Sequence, residues 1–247
     1  MRSQIRSELL KLTTVRTSLY FALATVVFVG GMVSIQAITA GSEFIGPLSE
    51  EPTQRSLYLS ASAAPLIAIV FGCLGVTSEL RHHTIVPTLL FEAGRVRVLA
   101  AKAAAMLVAG AGLGAIAVVV GVALTTLILA ATNTPVLVGV GPVAATTVGT
   151  VGASALGSLF GLGIGGLVRN QAMAVGAVLI LLLALEPLVV SLVPDVGPWL
   201  PSSLVTVIAE GQPGAELTLW LAVSVLAAYA IVVTAGAALA LRRADVT

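Results

Sequence analysis

Long runs of Ala, Val, Leu, Ile and Gly divide this chain, and polar residues gather in the short gaps between them. The runs predict six helices, over residues 19–40, 59–77, 99–131, 139–168, 172–193 and 217–241. Each is close to or above the roughly 20 apolar residues that cross a bilayer as an α-helix. The third and fourth exceed one bilayer thickness and are expected to tilt, break or extend past it. The first run is also too long for a secretory h-region of about 7–15 residues, so it reads as a retained span. Ahead of it, residues 1–18 place Ile5, Leu9 and Leu12 at helical spacing, with Arg2, Arg6 and Arg16 elsewhere around the wheel. That pattern predicts an amphipathic helix lying along the lipid surface.

Composition agrees with the pattern. The chain is 58% hydrophobic and 9% charged, with a mean hydropathy of +1.09. Soluble domains carry about 25% charged residues, so this surface is built for lipid. The expected fold is all-α: a polytopic bundle of six transmembrane helices over residues 19–247, preceded by the interfacial helix. No loop is long enough for a separate soluble domain. The one cysteine, Cys73, falls inside an apolar run and reads as a small packing residue.

Charge adds an orientation. With six spans both termini share a side, and of the twelve basic residues all but Arg55 fall on that side. Cytoplasmic loops carry such an excess of Lys and Arg, so both termini are expected in the cytoplasm. Glu43, Glu50, Glu51, Asp195, Glu210 and Glu216 fall in the outer segments, and Trp199 and Trp220 lie near the outer boundary. Those tryptophans suit interfacial anchors.

Several motifs bear on chemistry. Gly161, Gly163 and Gly166 spell a formal G-x-G-x-x-G, but inside an apolar span rather than between a strand and a helix. Gly157, Gly161 and Gly165 share one helical face instead, and Gly110 and Gly114 repeat the spacing in the third span. Such faces let helix backbones approach closely. No P-loop motif occurs, and His82 and His83 are adjacent and do not share a helix face. Neither a metal site nor an enzyme is expected, nor binding to nucleic acid.

Glu186 is the one carboxylate within a span, followed directly by Pro187. An ionisable group in a span is a functional candidate, so Glu186 is a possible transport-path residue. Its position is expected towards the outer headgroups, where Pro187 ends the helix. Beyond it, residues 194–216 hold four prolines and a short apolar centre. They predict a short helix, N-capped by Ser202 or Ser203, that dips into the outer leaflet and returns.

Charges also crowd into one elbow, residues 75–102, with both histidines, Glu79, Glu92 and four basic residues. Thr84 is a plausible N-cap and Gly94 a natural stop, which predicts a short helix over 85–93 with Pro87 in its first turn. Ile85, Val86, Leu89, Leu90 and Ala93 cluster on one side. Thr88, Phe91 and Glu92 point elsewhere, as a docking knob on the cytoplasmic face would.

The order Gly75, Glu79-x-Arg81, Thr84-Ile85, Thr88-Leu89-Leu90, Arg95 and Lys102 resembles the ABC-2 type permeases, membrane subunits of bacterial ATP-binding cassette exporters. The opening SELLKLTTVRT, through Glu8, Lys11, Leu12, Arg16 and Thr17, is similar to their start. Trp199 to Ser202 and Arg242 to Val246 resemble the actinobacterial branch. Where family members often carry a proline and more basic residues, this chain has Phe91-Glu92-Ala93. The resemblance implies a permease in the bacterial cell membrane that pairs with a second copy or a related permease. It implies recruitment of two separate ATPase subunits, which bind the ATP and Mg; this chain binds no cofactor itself. The elbow, residues 79–98, would then be the coupling loop. Its docking residues would be Glu79, Arg81, His82, His83, Thr84, Ile85, Thr88, Leu89, Phe91 and Glu92. Two other readings stay open: an ion-coupled secondary transporter with Glu186 as its proton site, and a non-transporting, immunity-type membrane protein.

The charge partition yields a direct test. A reporter fused after Arg243 is expected to behave as cytoplasmic, and a cysteine placed at Glu50 to react with an impermeant label from outside. External labelling at the C-terminus would refute the orientation.

Overall fold

The computed structural model describes residues 7–8, 10–11, 16–81, 95–168, 170–212 and 217–243. It is all-α, with no strand among the described residues. Six helical segments are long and apolar enough to cross a membrane, so the chain is a polytopic helical membrane protein. The first, α1 (Arg16–Thr39), starts three residues earlier than hydropathy suggests. The second span begins at Glu51, well before the expected residue 59. Its first piece, α2 (Glu51–Leu59), runs through a 3-10 turn (Ser60–Ala63) into α3 (Ala64–Arg81). Pro65 accounts for the change of pitch. It has no N–H to donate, and its ring crowds the carbonyl four residues back.

The third span lies in α4 (Arg95–Ala131), 37 residues without a break. At 1.5 Å per residue it is about 55 Å long and extends well past a hydrocarbon core of about 30 Å. The fourth is α5 (Val140–Val168). A tight turn leads into α6 (Gln171–Leu192), where the Asn170 side chain accepts the Met173 N–H at 3.1 Å and caps the new helix. After a 3-10 turn (Pro194–Trp199) come the short α7 (Pro201–Glu210) and the last span, α8 (Leu219–Arg243).

The bundle is organised around α5, which packs against α3, α4, α7 and α8. Its sequence is mostly Gly, Ala, Ser, Thr and Val, so it presents little more than backbone. Gly157, Gly161 and Gly165 face α3: a Cβ on Gly161 would meet the Ile69 carbonyl, and one on Gly165 the Cys73 carbonyl. Gly157 sits with its Cβ position 3.0 Å from Ile69 and 3.2 Å from the Pro65 carbonyl. Gly110 and Gly114 bring α4 onto the other side of α5, against Ser154, Ser158 and the Thr150 carbonyl. Gly163 and Gly166 admit α8 at Thr234 and Ala237. The formal dinucleotide motif thus lies wholly within a helix and takes part in helix contacts.

By contrast, α1 and α6 attach by narrow seams. Thr25, Val29 and Val33 are the buried positions of α1, and Ala174, Val178, Leu182 and Glu186 those of α6. Each seam follows the i, i+4 row of a helix.

Two glycines on α5 separate a packing role from mere composition. Gly161→Ala is expected to destabilise by about 1–3 kcal/mol, because the new methyl meets backbone that cannot move aside. Gly152 has open space around it, so Gly152→Ala should be neutral or stabilise by up to about 1 kcal/mol through helix propensity. Unfolding midpoints in detergent check both; equal effects would remove the packing argument.

Candidate functional site

Two polar constellations interrupt the apolar bundle. The first lies where the elbow feeds α4. Glu8, in the helical part of the N-terminal segment, accepts from Lys11 Nζ at 2.6 Å and from Lys102 Nζ at 2.9 Å. Lys102 is buried, as is Glu8. Burial pushes the Glu8 carboxyl up, but the charge of Lys102 and hydrogen bonds from both lysines outweigh it and hold the group below its ordinary 4.5. The ion cluster therefore fastens the N-terminal segment to the root of α4, one turn into the third span.

The second constellation is at α6 and α7. Pro187 does not end α6, as expected from sequence; the helix widens into a π turn over Leu181–Leu185 and continues to Leu192. The Glu186 N–H donates to the Leu181 carbonyl, five residues back. That wider turn accommodates the proline ring and its missing donor. At Val193 the chain reverses and folds back along α6, with Gly197 against Val190. It reaches α7 beside Glu186. The Glu186 Oε2 accepts the Ser202 backbone N–H at 2.9 Å and, in a very short contact, the Ser202 hydroxyl. The other oxygen, Oε1, is buried without a hydrogen-bond partner.

Ser202 and Ser203 are therefore not the N-cap. Leu200 holds that position with no side-chain bond, Pro201 follows, and Ser202 lies inside the helix. The capping role passes to a carboxyl group from another helix. It needs an acceptor at the positive end of α7, and Glu186 supplies one.

The far end of α7 is satisfied from α5. Thr150 Oγ1 donates to the Ala209 carbonyl and Thr146 Oγ1 to the Glu210 carbonyl, both at 3.2 Å. Gly211 closes the helix in the left-handed region, φ 67, and its N–H donates to Ile208 O at 3.1 Å. A Cβ on Gly149 would meet the Ile208 carbonyl, and one on Gly211 the backbone of Ala145. Hence α7 runs back alongside the first half of α5, with its last turn backbone-on-backbone. Between Val193 and Gly211 the chain thus makes a reversal and a second, short helix whose two ends are held by its neighbours.

A third polar group holds the same end of the bundle. Gln54, fully buried, donates to the Leu48 and Pro135 carbonyls at 3.0 and 2.8 Å and accepts the Leu137 N–H at 2.8 Å. It ties the loop before α2 to the loop between α4 and α5. Nothing in the polar string Glu-Pro-Thr-Gln-Arg-Ser marks it as buried.

The sequence matches no family model, and no curated protein is significantly similar to it. Of the expected docking residues, Glu79 and Arg81 belong to the last turn of α3. His82, His83, Thr84, Ile85, Thr88, Leu89, Phe91 and Glu92 lie outside the described residues, as does the helix expected over 85–93. Among the described residues no three His, Cys, Asp or Glu side chains converge as metal ligands would.

The lowered Glu8 carboxyl makes stability depend on pH. Because its folded value lies below the unfolded one, its contribution is complete above about pH 4.5 and fades as pH falls through the folded value. Melting of the detergent-solubilised protein is expected to drop in that acid window, and Glu8→Gln to lower the midpoint at pH 7 and flatten the acid decline. An unchanged acid slope in Glu8→Gln would show that the ion cluster does not carry it.

Proposed function

We propose that this chain is the permease subunit of an ATP-binding cassette exporter of the ABC-2 type. It lies in a bacterial cell membrane with both termini in the cytoplasm. It pairs with a second copy or a related permease, and two separate ATPase subunits supply the ATP and Mg chemistry. The six-span plan and the Lys/Arg partition support the reading. So does the short, folded-back α7, whose end groups are satisfied by neighbouring helices.

The observation that carries it is the Glu8 cluster. Lys102 lies on α4 only two turns beyond Arg95, where the elbow re-enters the bundle. Glu8 ties the N-terminal segment to that root, so this segment and the end of the elbow at Arg95 are connected. A partner pushing on the elbow would move α4 and the N-terminal segment together. From there the motion reaches α5 through the close contacts of Gly110 and Gly114. An ATPase that changes shape on binding nucleotide needs such a lever, since a ligand shifts an equilibrium only by differential contact with its two states.

The carrier reading of Glu186 has one observation in its favour, the unpartnered Oε1. Against it stands Oε2, already engaged in capping α7.

The test is assembly. The tagged chain, extracted gently from its own membranes, is expected to bring down a P-loop ATPase. Phe91→Ala combined with Glu92→Lys should weaken that association at least about tenfold, the effect of losing one docking anchor. Glu186→Gln should leave it intact. Full assembly of the Phe91/Glu92 double variant would remove the elbow from the interface, and capture of no ATPase at all would remove the exporter reading.

A further inference from the structure

The two ends of α7 are held by different helices and in different ways. At Gly211 and Gly149 the hold on α5 is backbone against backbone, reinforced by the Thr146 and Thr150 hydroxyls. Such a contact has little freedom to slide, because neither side has a side chain that can turn away. At Ser202 the polar hold on α6 is one side chain, Glu186, and one of its oxygens. Glu186 in turn stands at the end of the π turn, directly before Pro187, where the regular i→i−4 ladder of α6 is already interrupted. Beyond the π turn, among the residues from Glu186 to Leu192, Glu186 is the one buried position. The outer part of α6 therefore has a built-in bending point and little packing to resist bending.

We propose that Glu186 and Ser202 form a releasable latch between α6 and α7, with the π turn at Leu181–Leu185 as its hinge and the α5–α7 contact as the fixed end. Closed, the carboxyl group caps α7 and holds the outer part of α6 against it. When α6 bends at the hinge, Glu186 leaves, the first turn of α7 loses its acceptor and opens, and the last turn stays seated on α5. The buried, unpartnered Oε1 favours release: the closed state leaves half of the carboxyl group unsatisfied in an apolar setting, a cost that solvent or another donor removes once the latch parts. The latch is a property of this fold and does not depend on what drives the bending or what the protein carries.

Amide hydrogen exchange on the full chain in lipid nanodiscs tests it without a substrate or partner. In the wild type both ends of α7 should be protected. Glu186→Ala is expected to speed exchange at residues 202–205 by roughly tenfold or more, as loss of a buried acceptor would. Residues 207–211, and 145–150 on α5, should keep wild-type rates. Glu186→Gln, which retains an acceptor oxygen for Ser202, should stay close to wild type. Ser202→Ala removes only the hydroxyl donor and should move residues 202–205 in the same direction by a smaller factor. It also serves if Glu186→Ala does not fold. Unchanged exchange at 202–205 in both variants overturns the latch. So does acceleration of 202–211 as a single unit, because the two ends would then not be independent.

Discussion

In a bilayer two apolar helices gain nothing by hiding from the solvent, since lipid tails are as apolar as leucine. What remains to hold them is contact dispersion, and that grows as backbones come closer. α5 meets this requirement by giving up side chains. Glycines on several of its faces admit α3, α7 and α8, and α4 brings glycines of its own to the remaining side. The same surface that would be a liability in water, a helix rich in glycine, is what makes this one the centre of the bundle. The carbonyl groups of Cys73 and Ile69 sit where side chains at Gly165 and Gly161 of α5 would have to go.

Close approach also decides where polar groups are tolerated. Ser158 Oγ donates to the Met106 carbonyl on α4, and Thr146 and Thr150 reach carbonyls of α7 across the glycine contact. Each is a short side chain that crosses an interhelix gap only because the gap is small. A half-length helix such as α7 has unsatisfied groups at both ends, and lipid offers them no partner. Its ends are therefore satisfied by neighbours, a carboxyl group at one and hydroxyls at the other. Without those partners a helix of this length would have no reason to stay folded within the bundle.

The spans were legible in the sequence because hydropathy and length are what a bilayer selects for; the start of the second was not. There Gln54 is buried by two loops folded over it, a tertiary event that leaves no trace in the local pattern. The spacing of Gly157, Gly161 and Gly165 was visible, but not that α3 is the helix they face. Glu186 stood out as the one carboxylate in a span. Its partner did not, because Ser202 reaches it only after the chain reverses at Val193. The reading of Pro187 as a helix end failed for a local reason: the helix relieves the proline by widening rather than stopping. Glu8 and Lys102 were each noticed within the resemblance to the exporter permeases. That they form one ion pair, 94 positions apart, follows from the fold alone.

These contacts divide the molecule into parts with different freedom to move. α3, α4, α5, α8 and the last turn of α7 interlock through glycine contacts that a sliding motion would turn into collisions. α1 and α6 each rest on a single i, i+4 row, to which Gln36 of α1 adds a hydrogen bond to Ser60 and Glu186 of α6 adds the two it accepts from Ser202. When a seam of that kind shifts, lipid fills the place of the lost neighbour with contacts of nearly equal quality, so the cost of displacement is small. The interlocked helices have no such substitute, because lipid cannot enter a gap too narrow for a methyl group. α1 and α6 are therefore the helices least constrained by their neighbours, and the interlocked helices the most. The root of that unit is α4, which Lys102 joins to the N-terminal segment and which the elbow enters at Arg95. From there the close contacts run through Gly110 and Gly114 to α5 and on to the last turn of α7.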